Sequence, residues 1–201
     1  MKKLLATLLV VSGTVGALGG LALVYVRTTG LVARTEPSAL EARVARELRS
    51  FAVPPEIRGL TNPTVPSPEV IADGLSHFAD HCAVCHGTDG SGNTPVGQGT
   101  WPKSPDMRLE PTQSLSDGEL FHIIEEGIRF TGMPGWGTGT PEGAQASWHL
   151  VHFIRHLPAM TPEEHERMER LTPRSPDEIR QEIEAEWFLQ GGDPASPVHE
   201  H

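Results

Sequence analysis

The chain of 201 residues carries 16 basic and 26 acidic side chains, a net charge of -10 with histidine neutral. That length suits one modest domain with appendages. The acidic balance argues against nucleic acid as a partner and points to proteins with a basic docking face, held by contacts that salt weakens.

From the N-terminus, Lys2 and Lys3 precede an uncharged run, Leu4–Val26, closed by Arg27. As a helix these 23 residues would span about 34 Å, enough to cross a bilayer. A membrane anchor is expected over residues 1–35. A cleaved signal peptide is the competing reading, with Ala17-Leu18-Gly19 or Leu31-Val32-Ala33 as imperfect small-residue sites. Either reading exports the remainder of the chain. Lys2 and Lys3 favour a cytoplasmic N-terminus, although Arg27 and Arg34 blur the asymmetry.

Residues 36–66 form an amphipathic segment and linker. Leu40, Val44, Leu48 and Phe51 recur at helical spacing among Glu and Arg, predicting a short helix that acts as a spacer above the membrane. Pro54, Pro55, Pro63, Pro66 and Pro68 then interrupt the chain too densely for a long helix or a central strand, and the stretch reads as an extended linker lying on the next domain.

That domain is expected over residues 67–158. Ser67-Pro68-Glu69 is a helix start, with a capping serine, proline in the first turn and an acid complementing the dipole. The helix should run, with Ile71, Leu75 and Phe78 on one face, into Cys82-Ala83-Val84-Cys85-His86. Two thiols separated by two residues can each add to one haem vinyl group, and the imidazole after the second reaches the iron. Covalent attachment of a single haem c, with iron held by His86, is therefore the expected chemistry, and it uses both cysteines of the chain. A disulfide, a redox-active thiol pair and half a zinc site are the alternatives. A zinc site would want more thiols, and a thioredoxin-like motif would want βαβ surroundings. Aromatic residues make up only 5% of the chain, but a bound haem adds a large apolar body for a small helical shell to cover. Bacterial haem attachment takes place outside the cytoplasmic membrane, so motif and leader agree on a single-pass protein of the cytoplasmic membrane with its haem domain in the periplasm or outside.

A glycine-rich loop comes after the motif, with Gly87, Gly90, Gly92, Gly97 and Gly99. Ser116-Asp117-Gly118-Glu119 opens the next helix as a capping box, with Leu120, Ile123, Ile124 and Ile128 as its apolar stripe. Pro141-Glu142 opens another, made apolar by Trp148, Val151, Phe153, Ile154 and Leu157 and ended by Pro158. No alternating strand run is present, so the fold class is all-α. Between these helices lies Phe130-Thr131-Gly132-Met133-Pro134-Gly135-Trp136, whose glycines and proline fix an irregular backbone able to present Met133 across the haem face. A thioether is a soft, neutral ligand that favours iron(II). Met133 is the expected second ligand, with Met107 or a histidine as alternatives. Met160 and Met168 lie beyond the last core helix. His77, His81, His122, His149, His152, His156 and His165 read as surface or helix-packing residues, although His152 and His156 have the one-turn spacing of a metal pair.

Residues 68–158 resemble a class I, single-haem cytochrome c domain. The resemblance is carried by Gly74-Leu75-Ser76-His77-Phe78, the haem motif with Gly87, Leu120-Phe121-His122-Ile123-Ile124, Gly132-Met133-Pro134 and Trp148 to Arg155. It implies that the first and last core helices cross with Gly74 and Phe78 against Trp148 and Phe153. It also implies that a proline carbonyl in the glycine-rich loop accepts the Nδ1 proton of His86, fixing the tautomer, with Pro95 the matching position. Trp101 and Arg129 are the implied partners of the haem propionates. With Ser104-Pro105-Asp106-Met107 after the loop, the chain is most similar to membrane-anchored cytochromes of respiratory chains.

Residues 159–201 form a helical extension with starts at Thr161-Pro162-Glu163-Glu164 and Ser175-Pro176-Asp177-Glu178. The second carries Ile179, Ile183 and Trp187 at helical spacing, and both helices are expected to pack on the domain or a partner. His199-Glu200-His201 ends the sequence in what reads as a solvated tail rather than a metal site. The expected function is electron transfer between a redox donor and an acceptor, without catalysis by the chain itself. The alternatives are a haem subunit of a peroxidase or oxidoreductase in which Met133 leaves the iron, and a haem sensor or metal-handling module using the tail. Peroxidase acid–base groups are not specified by any motif.

Overall fold

In the computed structural model, residues 2–30, 32–174 and 176–191 are described. The uncharged N-terminal run becomes α1 (Lys2–Thr29). Its leucines and valines remain exposed, and the hydroxyls of Thr7, Thr14 and Thr28 donate back to carbonyls four residues earlier. Those three hydroxyls are thus satisfied within the helix, as hydrocarbon surroundings demand. Lys2–Thr28 is long and apolar enough to cross a membrane.

The predicted amphipathic segment is α2 (Ala39–Ala52), started by a reciprocal capping box between Ser38 and Glu41. The linker lies on the domain as expected, although it includes a short helix, α3 (Pro55–Arg58). Val53 is buried, the Asn62 amide donates to the Trp148 carbonyl at 2.8 Å, and His152 Nε2 donates to the Thr64 carbonyl at 2.9 Å.

The haem-motif helix begins as α4 (Pro68–His77), capped by Ser67. It passes through one π-helical turn, Phe78–Cys82, and ends as α5 (Ala83–His86). The irregular region beyond it contains α6 (Pro95–Gly99) and α7 (Glu110–Gln113). Then come α8 (Asp117–Glu126), with the expected Ser116/Glu119 capping box, and α9 (Pro141–His156), ended by a 3₁₀ turn at Leu157–Ala159. The extension supplies α10 (Pro162–Leu171) and α11 (Pro176–Leu189). No strand occurs among the described residues, and the fold is all-α.

The core forms where α4 crosses α9. Gly74 permits that approach: a Cβ there would stand 2.4 Å from the His149 carbonyl oxygen and 2.8 Å from Phe153 Cβ, inside any tolerable contact. Phe78 and Phe153 meet with ring centroids 5.3 Å apart, as the sequence resemblance implied. Trp148 stacks instead on Phe121 of α8, at 4.1 Å and 10°. Arg155 fixes α9 against the start of α8. It bonds Asp117 Oδ1 at 2.9 and 3.1 Å, the Gln113 carbonyl at 2.7 Å and the Leu115 carbonyl.

The extension behaves as two parts. Helix α10 packs back on the domain through Met168, which is fully buried in the core, and through Glu164, which accepts from His156 Nε2 at 2.8 Å. Helix α11 leaves Ile179 and Ile183 exposed. Ser175, the expected cap of α11, and the tail with His199, Glu200 and His201 lie outside the described residues.

Candidate haem site

Cys82 closes the π-helical turn, Cys85 lies on α5 and His86 is its last residue. The helical path therefore presents two thiols and one imidazole within little more than a turn. Both cysteines are free thiols. Burial, with a smaller effect from Cys85, pushes the Cys82 thiol up to about 12, and burial also raises Cys85. Such thiols stay protonated and are poor candidates for thiol–disulfide exchange, which needs an accessible thiolate.

Burial lowers the His86 pKa, and the Pro105 carbonyl opposes that shift. A neutral imidazole is the form that can ligate a metal. Its Nδ1 is buried and has no hydrogen-bond partner among the described residues, while the Pro105 carbonyl lies beside the ring. The proline carbonyl beside His86 is thus that of Pro105. Pro95, the position chosen from sequence, opens α6 instead, where its neighbour Thr94 donates to the carbonyls of Val84 and Cys85 at 2.9 and 3.1 Å. Spacing along an irregular loop does not determine which carbonyl returns to the motif. The tetrad Ser104 to Met107 was the available signal.

The segment bearing Pro105 is held firmly. Arg108 bonds Asp106 at 2.7 and 2.9 Å and Asp89 at 3.0 Å, and its hydrogen bond holds the Asp106 carboxyl below the usual range. The Met107 amide donates to the Gly90 carbonyl at 2.9 Å. Phe78 stands beside His86 with ring centroids 6.5 Å apart, linking the imidazole to the core.

The Met133 loop is latched to the end of α8. Ile128 N donates to the Met133 carbonyl at 3.0 Å, and Trp136 N donates to the Ile124 carbonyl at 2.9 Å. The Met133 amide donates to Thr131 Oγ1 at 3.1 Å. At Gly132 the loop meets the glycine-rich region, since a Cβ there would stand 2.7 Å from Thr100 Cγ2. On its far side the Trp136 ring stacks on His81 at 4.9 Å and 18°. Met133 is half-buried. Met107 and Met168 are buried in the core, and Met160 packs against it.

Trp101 is half-buried next to Thr100, whereas Arg129 is exposed at the start of the Met133 loop. Three histidines of α9 are engaged separately: His149 with Asp73 at 2.7 Å, His152 with the Thr64 carbonyl, and His156 with Glu164. His152 and His156 thus have different partners, and no cluster able to hold a metal through His, Cys, Asp or Glu occurs among the described residues. The sequence reading did not assign Pro105 to His86, pair Trp136 with His81, or place Met168 in the core.

The residues present fit covalent haem c: two unpaired thiols in the attachment spacing, then a neutral imidazole with a buried, unpartnered Nδ1 and the Pro105 carbonyl beside the ring. Residues 69–154 match the family described as cytochrome c oxidase, cbb3-type, subunit III. A thiosulfate dehydrogenase of Stutzerimonas stutzeri (strain A1501) is 33% identical over 104 residues, which are 49% of this chain and 32% of that protein. The chain therefore spans about a third of the length of that relative. Taken with the all-α fold and the Cys82–His86 motif, these likenesses identify residues 69–154 as a c-type cytochrome domain, with covalently bound haem c and its iron, built for electron transfer.

Proposed function

We propose that the chain is a membrane-tethered electron carrier, with Cys82 and Cys85 forming the thioethers and His86 and Met133 the axial ligands of a single haem outside the cytoplasmic membrane. Haem c supplies a one-electron iron(III)/iron(II) couple when bound. The Pro105 carbonyl orients His86 through Nδ1, leaving Nε2 for the metal. The observation that carries the Met133 assignment is the double attachment of its loop, to Thr100 through Gly132 and to His81 through Trp136. Both attachments tie Met133 to the segments around the haem motif, while Met107 and Met168 are committed to core packing. Trp101 and Arg129 serve the propionates in this reading, and α1 is the anchor. The acidic domain surface favours redox donors and acceptors with basic docking faces.

The test is spectroscopic. Oxidised protein should show the weak near-infrared sulfur–iron charge-transfer band, and the iron should resist cyanide and carbon monoxide at neutral pH. Met133→His should abolish the band and lower the reduction potential, because a second imidazole stabilises iron(III) more than a thioether does. Met107→Leu should leave the band in place. A band that survives Met133→His rejects the assignment.

The likeness to a thiosulfate dehydrogenase favours a second reading, in which this domain is the electron-transfer subunit of an oxidoreductase. Thiosulfate added to the purified oxidised chain distinguishes the two. Reduction of the haem at a catalytic rate by thiosulfate alone would favour the enzyme, and reduction only through an added redox protein would favour the carrier.

A further inference from the structure

Helix α2 is built inside out. At about 100° per residue, Leu40, Val44, Leu48 and Phe51 form one stripe, and Ala42, Arg46, Arg49, Ser50 and Val53 lie on the opposite side. The polar side faces the cytochrome domain. Arg49 and Ser50 are half-buried, and Arg46, Arg49 and Ser50 line a groove shared with Glu110, Ser114 and Glu119. Arg58 donates to the carbonyls of Ser50 and Val53 and lies 3.6 Å from Glu119. Val53 is buried just beyond the helix. The apolar side faces away, with Leu40 72%, Leu48 61% and Phe51 87% exposed. An amphipathic helix ordinarily does the reverse.

We propose that this outward stripe beds into the surface of the membrane that α1 anchors, seating the haem domain at a fixed orientation on the bilayer. The inference rests on the anchor reading of α1. Three observations favour lipid as the occupant. Only residues 30–38 separate α1 from α2, so α2 begins within about 32 Å of the point where α1 ends. Residues 27–58, on the α2 side of the anchor, hold six basic and four acidic side chains, whereas residues 59–201 hold eight and twenty-two. The part of the chain near the membrane is thus the part that anionic headgroups attract, and the rest is repelled. Finally, four side chains on a 14-residue helix offer far less than the roughly 800 Å² per partner of a stable protein interface. They are sufficient for an interfacial helix already held at high effective concentration by its own anchor.

The experiment uses the full-length holoprotein in phosphatidylglycerol-containing nanodiscs doped with a phospholipid carrying a photoreactive acyl chain. After illumination, digestion and mass spectrometry, lipid adducts should map to residues 40–51 as well as to α1. Leu48→Glu with Phe51→Glu should cut the α2 adducts about tenfold, because it replaces two apolar side chains that the bilayer would cover with charged ones. The α1 adducts and the haem absorbance should be unchanged, since both positions are exposed. Labelled α1 beside an unlabelled stripe overturns the proposal and leaves the anchor intact, whereas unlabelled α1 overturns the anchor reading and the proposal with it. Adducts on α2 that persist in the variant, or cross-links joining α2 of two copies, also overturn it.

Discussion

Trp136 lies nearly flat on His81, with ring centroids 4.9 Å apart, joining the residue three places after Met133 to the one immediately before Cys82. Under the proposed His86/Met133 ligation, the stack ties together the two segments that face each other across the haem. A pair of this kind contributes about 1 kcal/mol. Trp136→Ala should lower stability by about that amount and, more specifically, weaken the near-infrared sulfur–iron band and speed cyanide binding to the oxidised protein. His81→Ala should do the same, and the double variant should be little worse than either single one. Additive losses would show that the stack does not couple the segments.

Gly74 should tolerate no side chain. Gly74→Ala drives a methyl group against the His149 carbonyl and Phe153, and α4 can make room only by separating from α9. A loss of about 3 kcal/mol is expected, read as a lower denaturation midpoint of the oxidised protein at an unchanged m-value.

Arg155→Leu removes the donors for the Gln113 and Leu115 carbonyls and for Asp117 together. Unsatisfied acceptors at a part-buried helix junction should cost about 1–3 kcal/mol. Hydrogen exchange should quicken at the start of α8 first, before the haem spectrum changes.

Acid should release α10 early. Burial would raise the Glu164 carboxyl, but the Thr161 amide and His156 together bring it below its usual range. A folded pKa below the unfolded one contributes stability above the unfolded value, near 4.5, and that contribution disappears as pH falls through the folded value. Exchange at residues 162–171 should therefore accelerate as pH falls below that unfolded value. Glu164→Gln should flatten this step. Since the carboxylate is partly exposed, the effect should be modest and smaller at high salt.

What could be read from sequence was chemistry confined to a few neighbouring residues. The motif Cys82 to His86 carries its three reactive groups within five positions, and the capping box at Ser116 and Glu119 closes over one turn. The apolar stripe of α2 was also visible, but its direction was not, because periodicity identifies a face without saying what it meets. The contact of Pro105 with His86 depends on the path of a loop rich in glycine. Met168 enters the core only because α10 folds back, a long-range event that local pattern does not encode.

The wide turn at Phe78–Cys82 sets the phase between the core and the haem motif. A regular helix advances about 100° per residue, and a π-helical turn holds an additional residue in its revolution. Everything beyond Phe78 is therefore indexed to α4 by a count of residues and not by their identity. Deleting Asp80 would restore an unbroken α-helix and remove only an exposed side chain. It would also swing both thiols and the imidazole by roughly a quarter turn relative to Phe78. Among the described residues the exposed Asp80 carboxylate meets only its neighbour His81, at 3.4 Å, but the chain cannot lose the residue without taking the haem motif out of register with the core.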